Sequence, residues 1–486
     1  MCPRTRIFTH VGLRVPRLDV MATSSRAGAT TAIDARRSAG KAAREALPRK
    51  AQGAFVLPER DPVAMIEAQN ATRLQSLVPI RIGRMLESPF ALYRGSAAMM
   101  AHDLADSPVT GCQVIASGDA HLANFGLFAS PERRMLFDLN DFDESYPAPW
   151  EWDVRRLAAS VWINGRDNSH TEEQCAASTT AAVRSYRSAL AGLFQLTATE
   201  RYYFQEETDV LEHDPGAQKR EIRAVTQKAR KRTSEQVLRK LTTTEEDGRP
   251  FIVDQFPVIR HSENYDLGRI TELYLLYLAT LRADIRLLLT QFEVVDYAMR
   301  IVGVGSVGTR CWLILLQGPA GEPLFLQAKE APQSVLETHG KVTTAPESII
   351  RAVAEKGQGS RVVGAQRILQ AQSDPFLGWV QGVEGDDGRL RDFYLRQFRD
   401  MKGSVDLHTL DPSRSARYAR LCGSMLARAH SQSPGSAFVT GYLGNGDAFD
   451  RAVTDWARLY ADQSEKDYDA LRAAVKSGRL PAETGL

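Results

Sequence analysis

Cysteine is scarce: 486 residues hold five, Cys2, Cys112, Cys175, Cys311 and Cys422. Odd in number and scattered, they exclude a disulfide framework and show no metal-type spacing, which fits reduced thiols in a cytoplasmic protein. No apolar run approaches the roughly 18 residues that a membrane span requires, so no membrane partner is expected. Charge of one sign is lacking too, since 61 Lys and Arg against 59 Asp and Glu leave a net charge of +2. A dedicated nucleic-acid binder is normally far more basic, so nucleic acid is disfavoured as a partner. Internal repeats and long low-complexity segments are absent. What remains is ordinary for a globular enzyme, 43% hydrophobic and 25% charged residues, over a length that predicts two or more lobes.

The densest chemistry lies between Ala116 and Glu144. There Asp119, Asp138, Asp141 and Asp143 alternate with Phe125, Leu127, Phe128, Leu136, Phe137 and Phe142. Isolated carboxylates resist burial, so such a cluster predicts a counter-charge, most simply a metal ion. A solvated acidic turn is the plainer alternative. Asp119 and Asn124 are spaced as D-x-x-x-x-N, and an apolar hairpin then leads to Asp141. This order suits phosphate handling with Mg²⁺, with Asp119 as base and Asn124 and Asp141 as oxygen ligands.

Ahead of this stretch, residues 1–50 are rich in Arg, Ala, Ser and Thr and read as a disordered basic tail. Asp61-Pro62 reads as the cap and first turn of a helix, and a second helix is expected over roughly 90–106. Arg81, Arg84 and Arg94 are surface arginines or phosphate contacts. A strand over 112–117 feeds Gly118-Asp119. Beyond the hairpin, Asp153 is placed to cap the next helix and to bond back to the loop. Helices follow over roughly 171–196, 216–241 and 268–290, the second strongly basic and the third leucine-rich enough to predict a core position.

The texture changes near residue 298. Strand, glycine turn (Gly303, Gly305, Ser306, Gly308), strand, turn and strand succeed one another, with Lys329 on the third strand. G-x-G-x-x-G alone is weak evidence, and a dinucleotide fold would need a helix directly after the glycines. A strand follows instead. A glycine hairpin with a lysine across an antiparallel meander suits a lobe that covers nucleotide phosphates. A helix over 345–372, two more strands, and helices over 411–432, 447–463 and 465–477 complete the chain.

Gly118-Asp119-Ala120-His121-Leu122-Ala123-Asn124 and Asn140-Asp141-Phe142-Asp143 resemble the loop motifs of aminoglycoside phosphotransferase-like and protein-kinase-like enzymes. From about residue 58 to 480 the chain also resembles a bacterial domain-of-unknown-function family (2252), through Ser88–Gly95, Gly118–Gly126, Gly303–Thr309 and Arg399–Ser404. The kinase resemblance implies an α+β, two-lobe fold using ATP and Mg²⁺, with a nucleotide and an unidentified acceptor as partners. It implies Asp119 and His121 in the catalytic loop, Asn124 and Asp141 on the metal, and Lys329 with Gly303, Gly305, Ser306 and Gly308 at the phosphates. Asp138 and Asp143 are left supporting roles. Kinases pair their lysine with a helix glutamate, for which Glu337, Glu347 and Glu355 all qualify.

In kinases the glycine loop precedes the catalytic loop, whereas here it follows. That order is expected of a circular permutation: a helical lobe over 51–297, a small β lobe over 298–405, and the rest of the helical lobe over 406–486. Two other readings compete. A metal-dependent phosphoesterase would use Asp119, His121, Asp138 and Asp141 as ligands, and a pseudokinase would bind nucleotide without turnover.

Overall fold

The computed structural model describes residues 31–485 apart from 207–225, 228, 230–233, 245–247, 262–265, 302, 343–345, 386 and 399–400. The basic residues expected to line a helix over 216–241 lie outside the described residues, as do residues 1–30. The architecture is mixed α+β.

The N-terminal region folds as short helices. Ala32–Ala46 (α1) is followed by Pro62–Asn70 (α2), Val78–Met85 (α3), Pro89–Arg94 (α4) and Ala97–Leu104 (α5). Asp61 caps α2 as its sequence predicts, accepting from Val63 N at 2.8 Å and Ala64 N at 3.1 Å, with Pro62 at the first helical position. The long helices Trp150–Asp167 (α6), Glu172–Leu193 (α7), Pro412–His430 and Ala448–Lys476 share one core, to which Leu157, Val161, Val183, Leu190, Met425, Leu426, Val453 and Trp456 contribute. Segments on both sides of the main sheet therefore bury their apolar faces together. The two helices expected over 447–463 and 465–477 are one, because Ser464 sits buried within it rather than at a break.

Four strands surround the acidic stretch. Gln113–Ala116 (β1) pairs antiparallel with Tyr146–Pro149 (β4), and Phe125–Ala129 (β2) forms the expected hairpin with Met135–Leu139 (β3). Thr242–Thr244 (β5) and Pro250–Ile252 (β6) form a further pair. The remaining strands, Ile259–Arg260 (β7), Glu293–Arg300 (β8), Cys311–Gln317 (β9), Pro323–Glu330 (β10), Gly378–Glu384 (β11) and Leu390–Gln397 (β12), build one antiparallel sheet in the order β11-β12-β10-β9-β8-β7.

Strand alternation explains both faces of that sheet. Trp312, Ile314 and Leu316 with Leu324, Leu326 and Ala328 pack against Leu267–Leu278. Leu313, Leu315 and Phe325 face the other way, into a core with Val237, Ile252 and Phe398. Lys329 stands opposite Cys311 and Tyr394, and Gln327 opposite Arg396, in the antiparallel register. Cross-strand partners share a face, so one polar ledge gathers Gln327, Lys329, Tyr394 and Arg396.

Two expectations are corrected. The leucine-rich helix over 268–290 divides into Leu267–Leu278 and Ala283–Leu289. Thr280 Oγ1 donates to Tyr277 O at 2.8 Å and accepts from Trp379 N at 3.1 Å, which ends the first helix against β11. Leu275, Leu276 and Leu288 are exposed rather than core.

Of the basic tail expected through residue 50, the described part is helical over Ala32–Ala46. Thr31 and Asp34 form a capping box, and Arg36, Arg44 and Arg49 donate to the carbonyls of Pro434, Gly441, Tyr442 and Leu443 around the helix Ser436–Leu443. Arg44 and Arg49 satisfy backbone carbonyls that the end of this helix leaves without partners. Contact is close because Gly40 meets Phe438 O and Gly441 meets Arg37 O, where a Cβ would fall on the facing carbonyl. Gly441→Val is expected to lower stability by about 1–3 kcal/mol and to expose α1 to limited proteolysis. An unchanged melting temperature together with unchanged cleavage would show that this glycine contact does not hold α1.

Candidate functional site

The loop after β1 is fixed from beneath. Gly118 has φ +80, and a Cβ there would strike Glu144. Asp153, on α6, accepts from Ser117 N at 2.6 Å and Gly118 N at 2.9 Å. It also meets His430 Nε2 at 3.0 Å, while Tyr186 Oη lies 2.9 Å from His430 Nδ1. The expected bond from Asp153 to the loop is present. The helix cap expected of it is not, since α6 begins after Pro149 with no side-chain cap.

Within the loop, Asn124 Nδ2 donates to Asp119 O at 2.7 Å, and Asn140 N donates to Asn124 O at 2.9 Å. The two motifs are thereby joined through backbone and amide. Arg156 Nε and a terminal nitrogen both reach Asp119 Oδ1, at 2.8 and 2.7 Å. Asp119 Oδ2 lies 3.6 Å from His121 Nε2. Burial raises the Asp119 pKa, with Arg156 opposing it. Burial holds His121 far below its ordinary value, and Nδ1 accepts from Ala123 N, so the ring is neutral with its proton on Nε2.

The hairpin end meets the polar ledge of the sheet. Lys329 Nζ lies 2.6 Å from Asp143 Oδ2 and 3.7 Å from Asp141 Oδ1, and Tyr394 Oη donates to Asp143 Oδ1 at 2.5 Å. Burial alone would raise the Asp143 pKa, but the Lys329 charge and the bonds from Lys329 and Tyr394 outweigh it and hold the carboxyl low. Asp141 is pushed up by burial and then by repulsion from Asp143. Its Oδ1 is buried without a hydrogen-bond partner. Arg361 fixes the turn, donating to Asp143 O at 2.9 Å, Ser145 O at 2.6 Å and Pro332 O at 2.8 Å.

A cleft with a cavity volume of about 130 Å³ opens between these parts, lined by Asp119, His121, Asn124, Asp141, Asp143 and Glu144 on one side and Gly303, Val304, Gly305 and Ser306 on another. Arg73 and Arg94 also reach it. The structure thus brings Asp119, His121, Asn124, Asp141, Gly303, Gly305 and Ser306 to one opening. Gly308 is off the cleft wall, with φ +87, packed where a Cβ would crowd the Arg73 side chain. Lys329 is 2% exposed and stands behind Asp141 and Asp143 rather than on the wall. Of the three arginines singled out in the sequence, only Arg94 lines the cleft. Arg81 is buried against Asn70, Gln69 and Gly95, and Arg84 holds Gly303 O at 2.5 Å.

Four side chains at the site escaped the sequence reading: Arg156, Tyr394, Arg396 and Arg73. Arg156 left a signal, a second arginine beside Arg155 inside a helix otherwise read as apolar. Among the described residues, the lysine's carboxylate partners are Asp141 and Asp143, not a helix glutamate; Glu347 instead pairs with Arg351 on the surface. Asn124 and Asp141 together offer two oxygen donors on one wall. Among the described residues, no group of three or more His, Cys, Asp or Glu side chains is arranged to hold a metal ion, and no helix is long and apolar enough to cross a membrane.

Removing the cation should strand the two carboxylates. Lys329→Met is expected to destabilise the fold by about 3–5 kcal/mol, and Asp143→Asn in the same chain should recover part of that loss. Additive losses in thermal or urea unfolding would show that the pair is not coupled.

No curated protein and no solved structure matches the chain. Residues 73–474 match the model of a family described as an uncharacterized protein conserved in bacteria (DUF2252), and the chain belongs to that family.

Proposed function

We propose that this member of the bacterial family is an ATP- and Mg²⁺-dependent phosphotransferase with a kinase-like, circularly permuted arrangement, acting in the cytoplasm on a small molecule or a protein side chain. One observation carries the reading: the Gly118–Asn124 loop, Asp141 and the Gly303–Ser306 turn, distant in sequence, line a single cleft. The 3.7 Å approach of Lys329 Nζ to Asp141 Oδ1 supports it, since a lysine remote from the aspartate would have left the two halves unrelated.

Asp141 and Asn124 fit a magnesium ion by their chemistry. Asp141 Oδ1 is buried and lacks a hydrogen-bond partner, and Asn124 commits its Nδ2 to the loop, which leaves its oxygen to accept. Two protein oxygens suit Mg²⁺, which otherwise keeps water and substrate phosphate oxygens. When bound, the ion would neutralise charge on those phosphates. Asp119 is the group to take the acceptor's proton as its oxygen bonds to the terminal phosphorus and the bond to ADP breaks. Arg156 fixes Oδ1 of that carboxylate, and burial raises its basicity. Neutral His121 keeps its Nε2 proton toward Oδ2, orienting the carboxylate without adding charge.

The phosphoesterase reading asks Asp138 to be a ligand. Asp138 is instead buried, accepting from Leu139 N and Ala371 N at 2.8 Å each with Arg428 at 3.8 Å, which makes it a strut between the hairpin and the chain after Glu347–Leu369. The kinase-like reading therefore uses more of the geometry.

Asp119→Asn is expected to bind Mg²⁺–ATP within a few-fold of wild type while losing about 10²-fold or more of transfer. Calorimetry with ATP and labelled-phosphate transfer to a metabolite and protein panel read the two quantities separately. Failure of the wild type to bind ATP would end this reading. Binding with no turnover on any acceptor would leave a nucleotide-binding pseudokinase.

A further inference from the structure

In a cleft read as a nucleotide site, the lysine expected at the phosphates is already committed. Lys329 is enclosed, with Asp143 at 2.6 Å and Asp141 at 3.7 Å. Its charge is balanced within the protein. The cleft nevertheless has two other cations on its wall, both from the segment ahead of the catalytic loop.

Arg73 follows α2, and Arg94 ends α4. Among the described residues, neither has a carboxylate within ion-pair distance, and the Nε of each is buried without a hydrogen-bond partner. Both are tied to the glycine turn. Arg73 donates to Val307 O at 2.6 Å, and the neighbouring Leu74 N donates to Gly308 O at 2.8 Å. The Arg94 carbonyl lies so close to Gly305 that a Cβ there would sit 3.3 Å from it. Burial lowers the pKa of both guanidiniums, to about 10 for Arg73. They remain charged at neutral pH.

Glu144 and Glu330 act on Arg73, and Asp119 and Glu87 on Arg94, from beyond ion-pair distance, so two partly desolvated guanidiniums keep donors that an anion in the cleft would satisfy. Their position selects the anion. They stand beside Gly303–Ser306 and share the cleft with Asn124 and Asp141. A guanidinium donates in a planar fork that matches phosphate oxygens better than an ammonium does.

Resting on the phosphotransferase reading, we propose that Arg73 and Arg94, with the Gly303–Ser306 turn, form the seat for the terminal phosphates of a nucleoside triphosphate. Lys329 does not touch the nucleotide. It is a positioning residue that holds Asp143 and Asp141 against the sheet, and the arginines supply the charge that a kinase-like lysine would otherwise bring.

Calorimetric titration of the full chain with Mg²⁺–ATP, AMP and inorganic tripolyphosphate tests this, using wild type, Arg94→Met, Arg94→Lys and Arg73→Lys, each checked by its melting temperature. Arg94→Met should weaken ATP at least tenfold and leave AMP within about twofold, since only the terminal phosphates reach the seat. The two lysine variants keep the charge and lose the fork, so each should show a smaller loss and remain informative if Arg94→Met does not fold. ATP affinity unchanged in all three variants, with wild type binding ATP, would overturn the arginine seat and leave the phosphotransferase standing. Tripolyphosphate bound by wild type but not by Arg94→Met, with no nucleotide bound, would uphold the seat and overturn the nucleotide reading. Wild type that binds neither ATP nor tripolyphosphate would overturn both.

Discussion

A buried ammonium ties the six-stranded sheet to the acidic hairpin. Lys329 projects from the centre of the six-stranded sheet onto Asp143 and Asp141, which close the hairpin of the helical body. Burying an ammonium or a carboxylate alone is strongly unfavourable, so each side of the contact needs the other. Tyr394 completes the Asp143 carboxylate from the adjacent strand, and Arg396 adds positive potential beside it. This polar seam lies at the edge of an apolar contact, in which Phe137, Leu139 and Phe142 of the hairpin share a core with Ala331, Val362 and Tyr394.

The remaining walls are held by bonds that reach far along the chain. Asp153 gathers the backbone of Ser117 and Gly118 and is itself held by His430, which Tyr186 meets in turn. The glycine turn is strapped from outside by Arg73, Leu74 and Arg84. Asp119, Asp143 and the two glycine turns thus each rest on partners from elsewhere in the chain, which fixes the shape of the opening.

What could be read from the sequence was what depends on near neighbours. Asp119 and Asp141 announced themselves because carboxylates in an apolar run have few physical explanations, and Asn124 did so by its D-x-x-x-x-N spacing from Asp119. Lys329 did so because strand alternation separates it from Leu324, Leu326 and Ala328. Asp143 was given a supporting role, but not its partner, because Lys329 lies 186 positions away. The N-terminal arginines misled for a related reason. Their composition reads as disorder, yet Arg44 and Arg49 close the carbonyls of a helix near the far end of the chain, and Arg36 takes Pro434 O just ahead of it. Composition records charge but not which backbone groups await it.

The helix after Lys329 makes the same point about the site itself. Glu347–Leu369 follows the lysine strand, where a glutamate was expected to face inward. It kinks at Gly357, whose φ is +75 and whose neighbour Gln358 donates its N–H to Asp392 Oδ2 at 2.6 Å. Beyond the kink, the residue that reaches the acidic turn is Arg361, and it takes three backbone carbonyls, including that of Asp143. The charges are therefore exchanged relative to the expected arrangement. The helix brings a cation that shapes the turn, and the turn brings the carboxylate that holds the lysine. With Asp143 fixed through both its backbone and its side chain, a helix glutamate has no remaining task at Lys329. The lysine can then be buried completely, which removes it from the cleft wall and leaves that surface to the arginines of the N-terminal segment.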